Sequence, residues 1–367
     1  MEQTNLVIGN STIDAILLRD IARHEGHKVI LEHEGTRLEI AVKEDKGTIK
    51  PGGKYEAKDY FAGKVQNFPK REQFGGGGYN SVSYLRKLLD NSFTVHYLDV
   101  SNPSLDTSVP GESLADKLRQ QDIEPEFLCM RPIPLNLVFS ESSDGRSDKI
   151  IVKSPLKTDV MNQYTRQKAA DLIGKAYAVL FNSLKDENLA SIVLDESRKN
   201  GLLMGVITTS LDPDYVLKQV VPYCVCQFNY DEFGFVVNPN HKVEGNENDR
   251  IESAIEGIRN LRKGHSARQN IYVTLGKNGV LCSDTFGIYH VRLKDEKLTE
   301  INDTVKFRDE STCGAGDAFA ASVFRYEMLQ SVSVEQIAKL ACRDAVRYLG
   351  YSGEVRDWDF KTKKFRV

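Results

Sequence analysis

Apolar residues recur along the chain in two patterns. Short β-branched or aromatic runs (NLVIGN, TVHYLDV, NLVFS, KIIVK, AYAVLFNS, LMGVITT, CVCQFN, NIYVTLG, GVLCSD and GIYHVRL) read as strands. Several are continuous rather than alternating, as expected of strands buried on both faces of a parallel sheet. Between them lie stretches with helical spacing: NSVSYLRKLL, ESLADKLRQQ, DENLASIVLDESRKNG and NDRIESAIEGIRNLRKG. In the last, Ile251, Ala254, Ile255, Ile258 and Leu261 form one apolar stripe, which begins after Asn and Asp and stops at Gly264. Alternating strands and helices predict a three-layer α/β/α sandwich around a mostly parallel central sheet.

One segment breaks the alternation. No good helix appears between Arg19 and Phe74, and KVILEHEGTRLEIAV alternates instead. Val29 and Leu31, then Leu38, Ile40 and Val42, share one face around a turn at Glu34-Gly35, which predicts a β-hairpin. Residues of about 20–70 therefore read as a small β lid inserted between the first strand and the first helix. A two-stranded flap is marginal alone, so its apolar face is expected to cover a site or to meet a second subunit as a homodimer.

Composition narrows the class. The 367 residues are 40% apolar and 28% charged, with a net charge of −3. That is ordinary globular composition, with no electrostatic case for nucleic acid or an anionic membrane. No apolar run reaches the length of a membrane span, and the N-terminal stretch lacks a secretory pattern. The six cysteines (129, 224, 226, 282, 313 and 342) are sparse and mostly flanked by apolar residues, which fits reduced thiols in a cytoplasmic protein. Cys-Val-Cys at 224–226 has no second pair at zinc spacing and reads as buried strand. The tail KTKKFRV reads as a solvated end.

Candidate chemistry gathers in ESTCGAGDAFAASVFRYEML, residues 310–329. Gly314-Ala315-Gly316 can turn backbone N–H groups into one concavity, and the helix that follows adds its own free N–H groups and positive dipole end. Such a place suits a phosphate that gains charge during transfer. Asp317 cannot be a further phosphate contact, because like charges repel. It makes sense there as a base, if a hydroxyl lies between it and the phosphate. A solvated acid at an ordinary helix start is the competing reading of this stretch taken alone. There is no P-loop, no dinucleotide fingerprint and no nucleophile elbow.

The stretch does not stand alone. Ser311-Thr312-Cys313-Gly314-Ala315-Gly316-Asp317 resembles the Asp-Thr-x-Gly-Ala-Gly-Asp signature of the ribokinase-like (PfkB) family of carbohydrate and nucleoside kinases. GGGGYNSV (75–82) resembles that family's N-terminal signature, VIGNSTID its first strand, FNYDEFGF its Asn-x-x-Glu motif and VTLGKNGVL its nucleotide-loop strand. Five motifs in family order span residues 7 to 317.

The resemblance implies one ribokinase-like kinase domain over 1–367, transferring the γ-phosphate of ATP to a hydroxyl of a sugar or sugar-like substrate, with Mg2+; a nucleoside kinase of the same fold and a catalytically silent sugar- or nucleotide-binding member are the alternatives. Asp317 would be the base, and Gly314, Ala315 and Gly316 the anion hole. Asp14, Gly76, Gly77 and Asn80 would meet the acceptor. Thr274, Gly276 and Gly279 would meet the nucleotide, and Asn229 and Glu232 would organise Mg2+ through water. On the residues alone, Asn80 reads equally as a helix cap. Two departures stand out. Ser311 replaces the family's Asp, which in many relatives helps hold a monovalent cation, so K+ dependence is not carried over. The stretch from Asp14 to Gly75 is also long for the family, which points to an enlarged lid.

Overall fold

The computed structural model describes residues 3–9, 11–17, 21–43, 48–49, 54–99, 108–109, 112–127, 135–143, 146–154, 163–182, 187–207, 211–238, 247–264, 269–304, 314–330 and 332–367. Continuous apolar runs form the expected central sheet. Its ten strands lie in the order Ile123–Phe127, Phe93–Asp99, Gln3–Gly9, Ala178–Asn182, Leu203–Ile207, Val225–Asn229, Ile271–Thr274, Val280–Ser283, Ile288–Leu293 and Phe360–Phe365. The first seven are parallel and the last three antiparallel. Alternate residues serve opposite layers. Leu6 and Ile8 pack with Phe181, Leu189, Phe233 and Ile255 on one face. Val7 packs with Val82, Leu85, Leu118 and Phe324 on the other. The three-layer α/β/α sandwich is thus present, with helices burying both faces of the sheet.

Several elements fall outside the expected set. The basic tail is not merely a solvated end: Phe360–Phe365 pairs antiparallel with Ile288–Leu293 as the edge strand. Phe360 anchors it in the core while the residues from Lys361 to Lys364 face solvent, and lysines on an open edge discourage pairing with another chain. The helix Val334–Tyr348 presents Val334, Ile337, Ala338 and Ala341 to the sheet and starts on a Ser333 cap. The strand Ile123–Phe127 forms the other edge.

The unusual segment joins strands from outside it in a second, all-β unit. A five-stranded sheet, Lys54–Glu56, Arg146–Lys153, Leu135–Ser143, Thr12–Leu17 and Lys70–Gly75, rises beside the central sheet. The predicted hairpin is present as Lys28–His33 and Thr36–Ala41, with Val29 opposite Ile40 and Leu31 opposite Leu38. Glu34 and Gly35 turn at φ 46° and 77°, the positive pair that a tight hairpin needs. A third strand, Ala22–Glu25, completes a small sheet. Its apolar face packs on the five-stranded sheet, where Val29, Leu31, Ile40 and Val42 meet Leu137, Phe139, Ile150 and Val152. The covering surface that the hairpin requires therefore comes from the same chain. Its apolar face gives no ground for a dimer. The outer face carries exposed ion pairs, Arg23–Glu32, Arg37–Glu39 and Lys28–Glu39.

Cys224, Cys226 and Cys282 are buried free thiols, and burial pushes Cys226 up to about 12. Cys129 and Cys313 lie outside the described residues. No described helix is long and apolar enough to cross a membrane.

One polar cluster under the sheet predicts a pH effect. Glu327 Oε1 accepts from Tyr272 Oη at 2.6 Å and from Asn270 Nδ2 at 2.8 Å. Burial raises this carboxyl above its ordinary range, although both donors pull the other way. A raised folded-state value means that stability is full below the unfolded value and is lost as pH rises through the folded one. Glu327→Gln keeps an acceptor and removes the charge. The variant should melt above the wild type at pH 8 and converge with it near pH 4. A lower melting temperature at pH 8 would show that the charged form is the better accommodated one.

Candidate active site

The carboxyl ends of the parallel strands form one rim, where ligands of open α/β sheets bind. The chain reverses its direction of spread at Gln3–Gly9, which lies between Phe93–Asp99 and Ala178–Asn182. Two helices begin at this switch point. Gly77–Leu88 starts from Gly76 at φ 92°, and Ala315–Leu329 starts from Gly314 at φ 99°. Positive φ is cheap only for glycine.

Asp317 sits in the first turn of the second helix. Both of its oxygens are held: Asn80 Nδ2 donates to Oδ2 at 3.1 Å, and Asn182 Nδ2 donates to Oδ1 at 2.9 Å. Asn80 is therefore not a cap. It lies inside the first helix, its N–H bonded to Gly76 O, and its side chain crosses to the other helix. Asn182 ends an otherwise apolar strand and carries no motif, so sequence reasoning passed over it. The only signal was a polar residue closing the run AYAVLFN.

The glycines are there for close approach. A Cβ on Gly77 would lie 2.7 Å from Asn182 Nδ2, and one on Gly9 would lie 2.5 Å from Gly78 Cα. Room at Gly77 is thus filled by Asn182 rather than left empty. A Cβ on Gly314 would lie 2.5 Å from Tyr348 Oη, whereas one on Gly316 would meet nothing within 4 Å. The surface beside Gly316 is open.

Asp14 lies on Thr12–Leu17, 8% exposed, and accepts at Oδ1 from Thr12 Oγ1 and from Asn136 Nδ2, each at 2.8 Å. Its Oδ2 lies against Gly75, where a Cβ would come within 2.2 Å. The second β unit thereby contributes a fixed carboxylate next to the glycine run that opens the first helix. Nearby, Ser11 N donates to Asp99 Oδ1 at 3.4 Å, and Ser11 Oγ lies 3.1 Å from Tyr97 Oη.

Residues 55–357 match the family profile described as pfkB family carbohydrate kinase. The chain belongs to the PfkB family. Solved structures share the fold of this PfkB chain at low identity. Ribokinase from Cryptococcus neoformans var. grubii serotype A, in complex with ADP, is 14% identical with a TM-score of 0.58, over 94% of this chain and 93% of that one. Adenosine kinase from Schistosoma mansoni, in complex with 2-fluoroadenosine, is 15% identical with a TM-score of 0.61, over 95% and 96%. A carbohydrate kinase from Agrobacterium tumefaciens is 14% identical with a TM-score of 0.55, over 95% and 92%. Among curated proteins none matches at a significant level. Membership of a carbohydrate kinase family makes this chain a phosphotransferase by kinship.

In this PfkB chain the remaining expected residues lie farther along the same rim. Asn229 and Thr274 pair in register at their strand ends. Thr274 Oγ1 donates to Phe228 O at 3.4 Å. Gly276 turns at φ 61° with open space around it. Gly279 has a different reason to be glycine: at φ 86°, a Cβ would strike Val291 O at 2.2 Å. Its close approach is to the neighbouring strand. Asn229 and Glu232 form a capping box on the helix Tyr230–Val237, Oδ1 accepting from Glu232 N at 2.8 Å and Oε2 accepting from Asn229 N at 3.1 Å. Among the described residues no group of three or more His, Cys, Asp or Glu could cage a metal. One carboxylate and one amide suit Mg2+, a hard cation that keeps several waters and takes phosphate oxygens as its other ligands. Ser311, Thr312 and Cys313 lie outside the described residues.

Proposed function

We propose that this protein transfers the γ-phosphate of ATP to a hydroxyl of a sugar or nucleoside. The observation that carries the reading is Asp317. It is a carboxylate in the first turn of a helix, held on both oxygens by amides, one residue from the open surface at Gly316. In this reading the acceptor hydroxyl takes the place of Asn80 at Oδ2, and Asn80 turns to the acceptor oxygen. The hydroxyl proton passes to Asp317 as the oxygen forms its bond to the γ-phosphorus. The bond from that phosphorus to the β,γ-bridging oxygen breaks, and ADP leaves with the electron pair. The N–H groups of Gly314, Ala315 and Gly316, at the start of the helix, would meet the charge that grows on the phosphoryl oxygens.

Asp14, oriented by Thr12 and Asn136, accepts from other hydroxyls of the acceptor beside Gly76 and Gly77. Thr274, Gly276 and Gly279 belong to the nucleotide end of the rim. Glu232 and Asn229 would hold Mg2+ through water, and the cation would offset phosphate charge. The second β unit serves as the lid that keeps water from the phosphate.

An ATP-consumption assay over a panel of sugars and nucleosides, with and without K+, tests this. Saturable turnover with at least one acceptor is expected. Tight ATP or sugar binding without turnover on any acceptor would make the protein a binder rather than a kinase. Asn136→Leu should raise the KM for the acceptor far more than the KM for ATP, because it removes a donor that orients Asp14. Equal changes in both constants would remove Asp14 from the acceptor site.

A further inference from the structure

Two amides hold Asp317, and they are not equivalent. Asn80 is half-buried, with one long bond of 3.1 Å to Oδ2. Asn182 is 1% exposed and spends both hydrogens of its NH2 group, one on Asp317 Oδ1 and one on Ser81 Oγ, each at 2.9 Å. A carboxylate only accepts, so the nitrogen of this amide must face Asp317 and its orientation is fixed by chemistry. Its surroundings are equally fixed. Ser81 is fully buried, and the backbone of Gly77 closes over the amide where any side chain would collide. Asn182 also ends the strand at the switch point, so its own backbone is set by the sheet, paired with Ile207 on one side.

We propose that Asn182 is the positioning residue for the base. It pins Oδ1 of Asp317 and so leaves Oδ2, under the replaceable Asn80, as the oxygen that faces the acceptor. The inference rests on the kinase reading above. It adds that the base is aimed from the sheet, by a residue that never touches substrate. Among the described residues, the elements packed around Asp317 present few titratable groups. Tyr348 on Val334–Tyr348 lies against Gly314, and Asp14 on Thr12–Leu17 lies against Gly75. Within contact of its carboxylate, Gly77–Leu88 and Ala178–Asn182 contribute amides. A new charge at position 182 would therefore act directly on Asp317.

Steady-state kinetics on three variants test the proposal. Asn182→Leu removes both donors and should lower kcat about 10- to 100-fold with little change in the KM for ATP, the usual scale for a misplaced reacting group. Asn182→Asp is nearly isosteric and puts a second carboxylate at hydrogen-bond distance from the base. It should move the acid limb of the kcat–pH profile to higher pH, because like charges disfavour ionisation. A purely structural asparagine would leave that limb in place. The swapped pair Asn182→Asp with Asp317→Asn restores the hydrogen bond, so it should recover the melting temperature lost by Asn182→Asp while remaining inactive. Should Asn182→Leu fail to fold, the Asp variant and the swap still decide. Wild-type kcat in Asn182→Leu, or a wild-type pH profile in Asn182→Asp, would overturn this inference alone. A wild type inactive on every acceptor would overturn the kinase reading and this one with it.

Discussion

Asp317→Asn is expected to lower kcat by about 10²–10⁴-fold while leaving the fold and ATP binding intact, the usual worth of a positioned general base. That range corresponds to about 3–5 kcal/mol of transition-state stabilisation. The change is isosteric. The new amide can present its oxygen to Asn182 Nδ2, which stays 2.9 Å away, so the buried hydrogen bond survives. Its NH2 then faces Asn80, which can turn aside because it is only half-buried at the rim. What is lost is the ability to take a proton, not the shape of the site. Circular dichroism and ATP affinity should match the wild type while turnover collapses. Turnover at the wild-type rate would mean that Asp317 is only a helix-terminal acid, and the amides around it only packing.

Much of the fold is written in the sequence because burial on two faces leaves a plain trace. The runs at 6–8, 178–181 and 271–273 are apolar throughout and lie in central strands. The hairpin at 28–41 is equally plain, since alternation and a Glu-Gly turn specify both register and face. Other elements leave weaker traces. Lys70–Gly75 carries mostly polar residues and is a strand because Thr12–Leu17 pairs with it. The tail strand at 360–365 has one buried anchor and a row of lysines, which looks like a frayed end until its partner strand is known. The helix at 334–348 was not among the expected elements, although a Ser333 cap opens it and Val334, Ile337, Ala338 and Ala341 share one face.

The candidate site divides in the same way. Asp317, Asn80 and the glycines stand in motifs, and the fold brings them together across 237 residues of sequence separation. Asn182 stands in no motif, and only the parallel pairing of its strand with Gln3–Gly9 carries it to the base. Asn229 and Glu232 were legible as a pair, but their spacing suits a capping box as well as a cation. Gly279 was legible as a required glycine, though its own sheet supplies the reason. Spacing reveals that a residue type is required. It does not reveal which neighbour requires it.

Gly314→Ala and Gly316→Ala should separate sharply, although only Ala315 lies between the two glycines. Gly314 holds φ 99°, a backbone conformation that costs an L-residue about 1–3 kcal/mol. Its new Cβ would also stand 2.5 Å from Tyr348 Oη and 3.3 Å from Asn80 Nδ2. Something must give, and Asn80 is the nearest group to Asp317 able to move. Gly314→Ala should therefore lower the melting temperature and cut kcat by about 10²-fold, the scale of a displaced reacting group. Removing the obstructing hydroxyl with Tyr348→Phe should return part of the loss in the double variant. The φ penalty should persist. Gly316 has no positive φ and no neighbour within 4 Å of an added Cβ. Gly316→Ala should keep the wild-type melting temperature, and its defect should fall on turnover, since a methyl group would stand where the phosphoryl oxygens approach. Equal losses of stability in the two variants would mean that Gly314 does not hold the strained turn. An unimpaired Gly316→Ala would move the phosphate away from this helix start.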